Sequence, residues 1–258
     1  MKKFSNIVLI IALSLVVLGN LLYWGPKVYK YFKNDEIHQN IGSSDQKTEG
    51  FIDSIEAAIQ SADVNIVLSD SISCSFENVD LSKSEAYVSE GILHITAKNY
   101  ENMEILGWNI GDVIDKVSKA KVTIYVTEDI LRSIKLEVGS GTIDIGNMNA
   151  ENLVIQLGAG NLSVTGLNVT GNGAIQVGSG TAKIYSLDAQ KLSIKTGAGS
   201  IDVRLSDADK FGISSSIATG SVDVLNVSKC GINQSITKAG DGTKQLTIEG
   251  GVGTISVR

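Results

Sequence analysis

The side chains that most often perform chemistry are few in this sequence. Its 258 residues include two histidines, His38 and His94, and two cysteines, Cys74 and Cys230. Isolated histidines favour neither a metal site nor a catalytic triad. Without a Cys-x-x-Cys pair the cysteines predict no zinc site, and two are too few for a disulfide scaffold. Both lie at apolar positions of their segments, which predicts that they are buried. Whether they pair is left open.

Carboxylates that recur at a fixed spacing are the first candidates for a metal site. One column of amides and carboxylates recurs every 19 or 20 residues: Asn149, Asn168, Asp188, Asp207 and Asn226. Such side chains can hydrogen-bond along a ladder, which would be a purely structural role. The alternative is a calcium ion between Asp188 and Asp207, with Asp209 contributing. Calcium usually takes six to eight oxygen ligands, which favours the ladder.

A second column offers candidates for acid–base catalysis. Its members are Asp144, Ser163, Lys183, Asp202, Asp223 and Ser256. We expect Asp202 and Asp223 on neighbouring layers of a stack, about 4.8 Å apart. A polysaccharide-cleaving enzyme would need such a pair, but no third acid completes a site and Lys183 lies beside Asp202. The column therefore predicts a solvated charge ladder, no catalytic residue and no cofactor.

These side chains belong to a segment that repeats along the chain. The six copies are LEVGSGTIDI (136–145), IQLGAGNLSV (155–164), IQVGSGTAKI (175–184), IKTGAGSIDV (194–203), SSIATGSVDV (215–224) and IEGGVGTISV (248–257). Apolar residues alternate within each copy, which is the period of a half-buried strand. Each copy is too small to bury its apolar face alone. The spacing predicts an all-β solenoid, a β-helix of about 20 residues per coil.

One glycine is common to all six copies: Gly141, Gly160, Gly180, Gly199, Gly220 and Gly253. A sharp corner with φ > 0 and another corner directly above it requires glycine, so we interpret these six as corner glycines. The last interval is longer and contains Asp241-Gly242, a hairpin signal. A hairpin there would cover part of the open end, and a residual strand edge could support a homo-oligomer.

The chain divides into three parts. Residues 1–33 contain the apolar run Ile7–Trp24, flanked by lysines, and residues 34–50 are a polar linker. Residues 51–258 are the β-helical domain, irregular over 51–138 and regular over 139–258. Within the irregular part, apolar spacing at 110–117 predicts a short helix.

The run Ile7–Trp24 spans about 27 Å as a helix, which predicts a single transmembrane signal-anchor in the lipid bilayer. A cleaved signal peptide is the competing interpretation. The short basic N-terminus favours an N-terminus in the cytoplasm and the domain outside. Residues 1–33 carry five lysines and no acid, which leaves the remainder with 17 basic and 28 acidic groups. That excess of acid argues against nucleic-acid binding.

The order of these segments resembles the bacterial putative-adhesin family of β-strand-repeat proteins, a domain of unknown function. The resemblance lies in SEGILHITAK (89–98), KVTIYVTEDILRSIKLEVGSGTIDI (121–145), the repeats, and GDGTKQLTIEGGVGTISV, over roughly 52–258. It implies a cell-surface, non-enzymatic domain without catalytic residues.

We therefore predict a membrane-anchored, non-enzymatic protein that binds an unidentified protein or surface polymer, as an adhesin-like or envelope-sensing module. Two alternatives remain open at this stage. One is a cytoplasm-facing scaffold or regulator of an envelope-stress response, and the other is a carbohydrate-active β-helix enzyme.

Overall fold

The computed structural model describes residues 37–39, 52–80, 83–98, 104–105, 108–109, 119–127 and 130–258, and these are all-β. Its strands are β1 (Ile37–Gln39), β2 (Ser54–Ser61), β3 (Asp63–Leu68), β4 (Ser73–Glu77), β5 (Glu85–Ser89), β6 (Ile92–Ala97), β7 (Glu104–Ile105), β8 (Trp108–Asn109), β9 (Lys121–Val126), β10 (Leu131–Leu205), β11 (Phe211–Val224), β12 (Val227–Lys238) and β13 (Lys244–Val257). One turn of 3₁₀ helix, Ala208–Lys210, precedes β11.

Three predictions concern residues that are described only in part or not at all. The anchor Ile7–Trp24 and the helix at 110–117 lie outside the described residues. Within the predicted linker, Ile37–Gln39 instead forms a strand, which pairs antiparallel with β4. Among the described residues, no helix combines the length and apolar character needed to cross a membrane.

Alternation of apolar and polar residues explains why the repeats form strands and where the core lies. In β10 the residues Ile143, Ile145, Leu162 and Val164 are buried, and the residues between them face outward. The same pattern runs from Ile55 to the last strand, so the apolar side chains form one continuous cluster. Removing this apolar surface from water is the main force that holds the layers together.

Successive repeats stack directly upon one another. A side chain added at Gly160 would collide with the carbonyl oxygen of Gly141, and one at Gly180 with that of Gly160. The six corner glycines have φ between 135° and 143°. Both conditions exclude a side chain, because residues with a Cβ rarely adopt these angles and the layer beneath leaves no room.

At the C-terminal end the layers do not follow chain order. β13 pairs in parallel with residues 191–203 of β10 on one side and with β11 on the other. β12 then pairs antiparallel with the far edge of β11. The repeat that comes last in the sequence therefore lies inside the stack. A hairpin over this end is present, but β11 and β12 form it rather than the segment around Asp241-Gly242.

The other end shows a similar exchange of order. β2 lies between β6 and β10, and β3 lies between β9 and β10, always in parallel. β4 and β5 add antiparallel strands outside this layer. Both ends of the stack thus finish in antiparallel strands, while the layers between them are parallel.

Tight turns connect the end strands to the stack. Glu90 and Gly91 join β5 to β6 with φ of 51° and 78°, and Leu225 and Asn226 join β11 to β12 with φ of 46° and 74°. A two-residue loop with positive φ at both residues is the type I′ turn, whose backbone twist matches that of the strands it connects. Asn226, predicted as a rung of the polar column, belongs to this turn instead.

Candidate functional site

The predicted calcium ligands lie near the connection that precedes β11, and each contacts a lysine. The Asp188 carboxylate accepts a hydrogen bond from Lys244 Nζ. Asp207 Oδ2 lies 3.1 Å from Lys210 Nζ. The hydrogen bond from Lys210 holds the pKa of Asp207 below its usual value. Ammonium groups thus occupy positions that a cation would need.

Asp209, the third candidate, is fully exposed, and its Oδ1 lies 3.8 Å from Lys238 Nζ. Among the described residues, no three histidine, cysteine, aspartate or glutamate side chains come together in a way that could hold a metal ion. The geometry of this region is that of alternating surface charges.

The two carboxylates expected on neighbouring layers are separated by one layer. Ser256 pairs in register with Asp202 on one side and with Asp223 on the other. The expected spacing of about 4.8 Å is wrong for this reason, because β13 intervenes and doubles it. In the column of amides and carboxylates, Asn168 Nδ2 donates a hydrogen bond to Asn149 Oδ1 at 3.3 Å.

The two cysteines are both free thiols, but they differ in burial. Cys74 is buried, as predicted, and burial raises the pKa of its thiol to about 12. Cys230 is exposed, so its predicted burial is wrong. A continuation of the parallel repeat would bury Cys230, whereas β12 runs antiparallel and lies outside the last parallel layer.

His94 faces outward in a row of polar side chains that crosses four strands. Its ring stacks on Tyr87 with centroids 5.0 Å apart, and its Nδ1 lies 3.5 Å from Glu56 Oε2. Lys135 Nζ bridges Glu56 at 2.8 Å and Glu137 at 3.0 Å. The hydrogen bond from Lys135 lowers the pKa of Glu56, and this single ammonium group serves both carboxylates of the row.

Beside this row the surface opens into a cavity of about 640 Å³, which we call the glycine trench. Its floor is the backbone of Gly139, Gly158 and Gly178. These glycines stack in the column that precedes the corner column, and a Cβ on Gly158 would collide with the carbonyl oxygen of Gly139. Glycine at these three positions leaves the column free of side chains over three layers, which creates the trench, and Gln60 occupies the same column in the β2 layer.

Polar side chains line one side of the glycine trench. Glu137, Gln156 and Gln176 lie on three successive layers and are exposed. Among the hydrogen bonds of the described residues, none involves the side chain of Gln156 or Gln176. Lys98 lies at one end of the trench. In the layer beyond Gln176 the corresponding residue is Lys195, which forms an ion pair with Glu249 at 2.8 Å.

Sequence reasoning missed the glycine trench, although its signal was visible. No role was assigned from the sequence to the first glycine of the Gly-x-Gly elements or to the exposed glutamines. A column of glycines in register is a column without side chains, so it must appear as a groove wherever its neighbours carry long side chains.

Stacked, glycine-cornered layers around one apolar core define an all-β repeat domain. The chain belongs to the Toastrack DUF4097 family, whose model matches residues 52–257. The resemblance inferred from the repeats is thereby confirmed. No curated protein sequence matches the chain significantly.

Three of the solved structures to which the chain is similar are adhesion proteins by name. A putative cell adhesion protein from Clostridium sporogenes shares 16% identity, with 81% of this chain and 93% of that chain covered and a TM-score of 0.44. A putative adhesin from Bacteroides fragilis shares 14% identity, with 81% and 93% covered and a TM-score of 0.35. A putative adhesin from Parabacteroides distasonis shares 12% identity, with 80% and 93% covered and a TM-score of 0.32.

Proposed function

We propose that this chain is a non-enzymatic binding protein of the cell surface, adhesin-like or envelope-sensing. In this proposal the stack is a β-helical domain outside the cell membrane, anchored through Ile7–Trp24. The observation that carries the binding role is the glycine trench, an open channel beside exposed amide side chains that have no hydrogen-bond partner within the described structure. Unpaired donors and acceptors on a rigid surface suit recognition of a ligand.

The charged groups support binding over catalysis. Catalytic acids and bases usually have pKa values displaced towards neutrality by burial or by like charges. Here Asp207, Glu56 and Asp241 have pKa values shifted downward, the direction that keeps a carboxylate ionised. Hydrogen bonds from neighbouring side chains cause these shifts, and each group lies at the surface.

The acidic excess of residues 34–258 supports a position clear of the membrane. Anionic lipid headgroups repel a domain with a net charge of −11. The lysines that flank Ile7–Trp24 have the opposite sign and suit contact with such headgroups.

Protease treatment of intact cells tests this proposal. A tag is placed after Arg258, and a cytoplasmic protein serves as the control for lysis. We expect the tag to be lost from intact cells while the control protein survives. A tag that survives until lysis, and is then cut, would overturn the surface location and favour the cytoplasm-facing scaffold.

A variant separates anchoring from orientation. Leu15→Arg places a charge at the centre of the apolar run, which disfavours insertion by about 3 kcal/mol. We expect it to move the protein out of the membrane fraction. Lys27→Arg, outside the run, is the matched control and should leave the distribution unchanged.

A further inference from the structure

Four buried polar atoms lie at the two interfaces of strand β13. Among the described residues, the buried side-chain oxygens without a hydrogen-bond partner are Thr196 Oγ1, Asp202 Oδ1, Ser215 Oγ and Ser256 Oγ. Thr196 and Asp202 belong to the layer of β10 that pairs with β13. Ser256 lies in β13 itself, and Ser215 lies in β11 on its other side. A buried polar group without a partner costs free energy that is recovered when water reaches it, so separating β13 from its neighbours relieves all four.

The apolar contribution of β13 to the core is also smaller than that of a middle layer. Residues 153–164 place five buried apolar side chains in the core, whereas β13 places four, which are Leu246, Ile248, Ile255 and Val257. At the fifth position β13 has Gly250, which pairs in register with Thr196. Since stability follows the apolar surface that is buried, we expect β13 to separate at a lower free energy than the middle layers.

The slot that β13 fills selects the sequence of the strand that can enter it. Its walls are residues 191–203 of β10 and strand β11, and both pair with β13 in parallel. A Cβ at Gly253 would collide with the carbonyl oxygen of Gly199, and one at Gly220 with that of Gly253. An entering strand must therefore carry glycine at the corner and apolar residues on both sides of it. β13 meets these requirements, and a second copy of the chain supplies the same strand.

The connection between β12 and β13 is a short loop, residues 239–243. Asp241 Oδ1 accepts hydrogen bonds from Thr243 N at 2.8 Å and from Thr243 Oγ1 at 2.6 Å, both within the loop. Gly242 has φ of 90°. Five residues span about 17 Å when they are extended, which exceeds three layer spacings of about 4.8 Å. An opened loop can therefore carry β13 across to a neighbouring molecule.

We propose that β13 is an exchangeable strand, and that two copies of the chain form a pair in which each β13 fills the slot of the other. The contacts are those made within one chain, including the ion pair of Lys195 with Glu249 at 2.8 Å and the hydrogen bond from Lys244 to Asp188. Because these contacts are kept, the exchange costs mainly the entropy of association. This inference concerns assembly and goes beyond the proposed binding function.

Cross-linking of two marked chains tests the exchange. One full chain carries Ser193→Cys and the other Thr247→Cys, at positions that pair in register between β10 and β13. Both also carry Cys230→Ser, which removes the exposed native thiol, and each has its own affinity tag. The chains are co-expressed, extracted in detergent and treated with a short bis-maleimide. We expect a linked species that contains both tags, and the same result from Lys195→Cys with Glu249→Cys, a second pair in register.

The matched control is Glu137→Cys in one chain and Gln156→Cys in the other. These residues lie on consecutive layers inside β10, which are continuous in the chain and cannot exchange separately, so we expect no linked species with both tags. Equal yields from the control and from the β13 pairs would overturn the proposal. So would the absence of linkage in both β13 pairs, including in a sample that sediments as a dimer. The proposed binding function is independent of either result.

Amide hydrogen exchange tests whether β13 separates before the middle layers. We expect the amides of β13 to exchange faster than those of residues 153–164. The double variant Thr196→Val/Ser215→Ala removes two of the unpaired hydroxyls, so we expect it to slow exchange in β13 at least about tenfold. Thr170→Val/Ser206→Ala changes two exposed residues and should leave the rates unchanged. Equal protection of β13 and the middle layer, or equal slowing in both variants, would overturn the proposal.

Discussion

The middle of the stack and its C-terminal end use the same repeat in different chain order. Within β10, each layer after the first lies on the layer that precedes it in the sequence. Beyond residue 205 the next repeat forms the outer layer, and the one after it, β13, lies between the two. The comparison shows that the repeats are structurally equivalent, since β13 pairs as well with β10 as with β11.

The β11–β12 hairpin, rather than the sequence of the repeats, determines the order of the layers at this end. β11 is joined to β12 by a two-residue turn, so its outer edge is occupied by an antiparallel partner. Only its inner edge remains for a parallel layer, and β13 takes that place. The outer edge of β12 carries Lys229 and the left-handed residue Asn233, features that discourage pairing with further strands.

The largest effect is expected at a corner glycine of the middle layers. Gly180→Val forces a branched side chain into φ of 135° and against the backbone of Gly160. We expect a loss of at least about 3 kcal/mol in the free energy of unfolding. Lys183→Val changes an exposed residue of the same layer and should cost little. Urea denaturation measures both, and equal midpoints would contradict the corner assignment.

Truncating a buried residue of β13 tests the exchanged order. Ile255 and Ile143 are both fully buried, at equivalent positions of β13 and β10. We expect Ile255→Ala and Ile143→Ala to destabilise the domain equally, by about 3 kcal/mol each. Ile232→Ala, at an exposed residue of β12, is the control. If Ile255→Ala costs as little as Ile232→Ala, β13 is a peripheral layer and the exchanged order is wrong.

The end of the stack also contains a defect that can be repaired. Thr196 is buried, and its hydroxyl has no hydrogen-bond partner. The equivalent positions in earlier layers are Val138, Leu157 and Val177, so Thr196→Val restores the apolar column. We expect a gain of about 1 kcal/mol. The exposed Thr170→Val is the control for thermal unfolding, and a loss of stability in Thr196→Val would show that the hydroxyl is satisfied.

A smaller gain in stability is expected in the hairpin of β5 and β6. Glu90 has φ of 51°, which asparagine tolerates better than glutamate. Glu90→Asn creates the Asn-Gly pair preferred in this turn, and we expect a gain of about 0.5 kcal/mol. Glu85→Asn, on the strand that precedes the turn, should bring no gain. Equal shifts in the two melting temperatures would argue against a turn-specific effect.

The smallest effect on stability is expected at Asp207, in the connection before β11, when the pH is lowered. The pKa of Asp207 is lowered in the folded state, so its contribution is present above about pH 3.8 and is lost as the pH falls below that value. We expect Asp207→Asn to melt slightly below the wild type near pH 6, and the difference to shrink as the pH falls below about 3.8. A difference that persists at acid pH would have another cause.

Much of the fold could be predicted because it is local. The alternation around Ile143 and Ile145, and the glycine that follows each strand, depend only on neighbours in the sequence and in adjacent layers. The layer order could not be predicted in this way, because any repeat satisfies the same apolar and glycine columns.

The errors at the candidate sites have that same origin. Cys230 and Asn226 were assigned by continuing the parallel repeat, although the turn at Leu225 reverses the chain. The spacing of Asp202 and Asp223 was derived from consecutive layers, and β13 separates them. In each case a segment that is distant in the sequence determines which strand lies next to the residue, and the local pattern contains no sign of it. The glycine trench was missed because a groove is defined by side chains that are not there.

The position of β13 also has a consequence for the order of events during synthesis. A ribosome delivers residues 211–238 before residues 244–257, so β11 and β12 emerge without the layer that joins them to the stack. Their apolar faces stay open to solvent until β13 arrives. Closure of this end is therefore a single late event, and a chain interrupted before residue 244 exposes two unpaired strand edges at once.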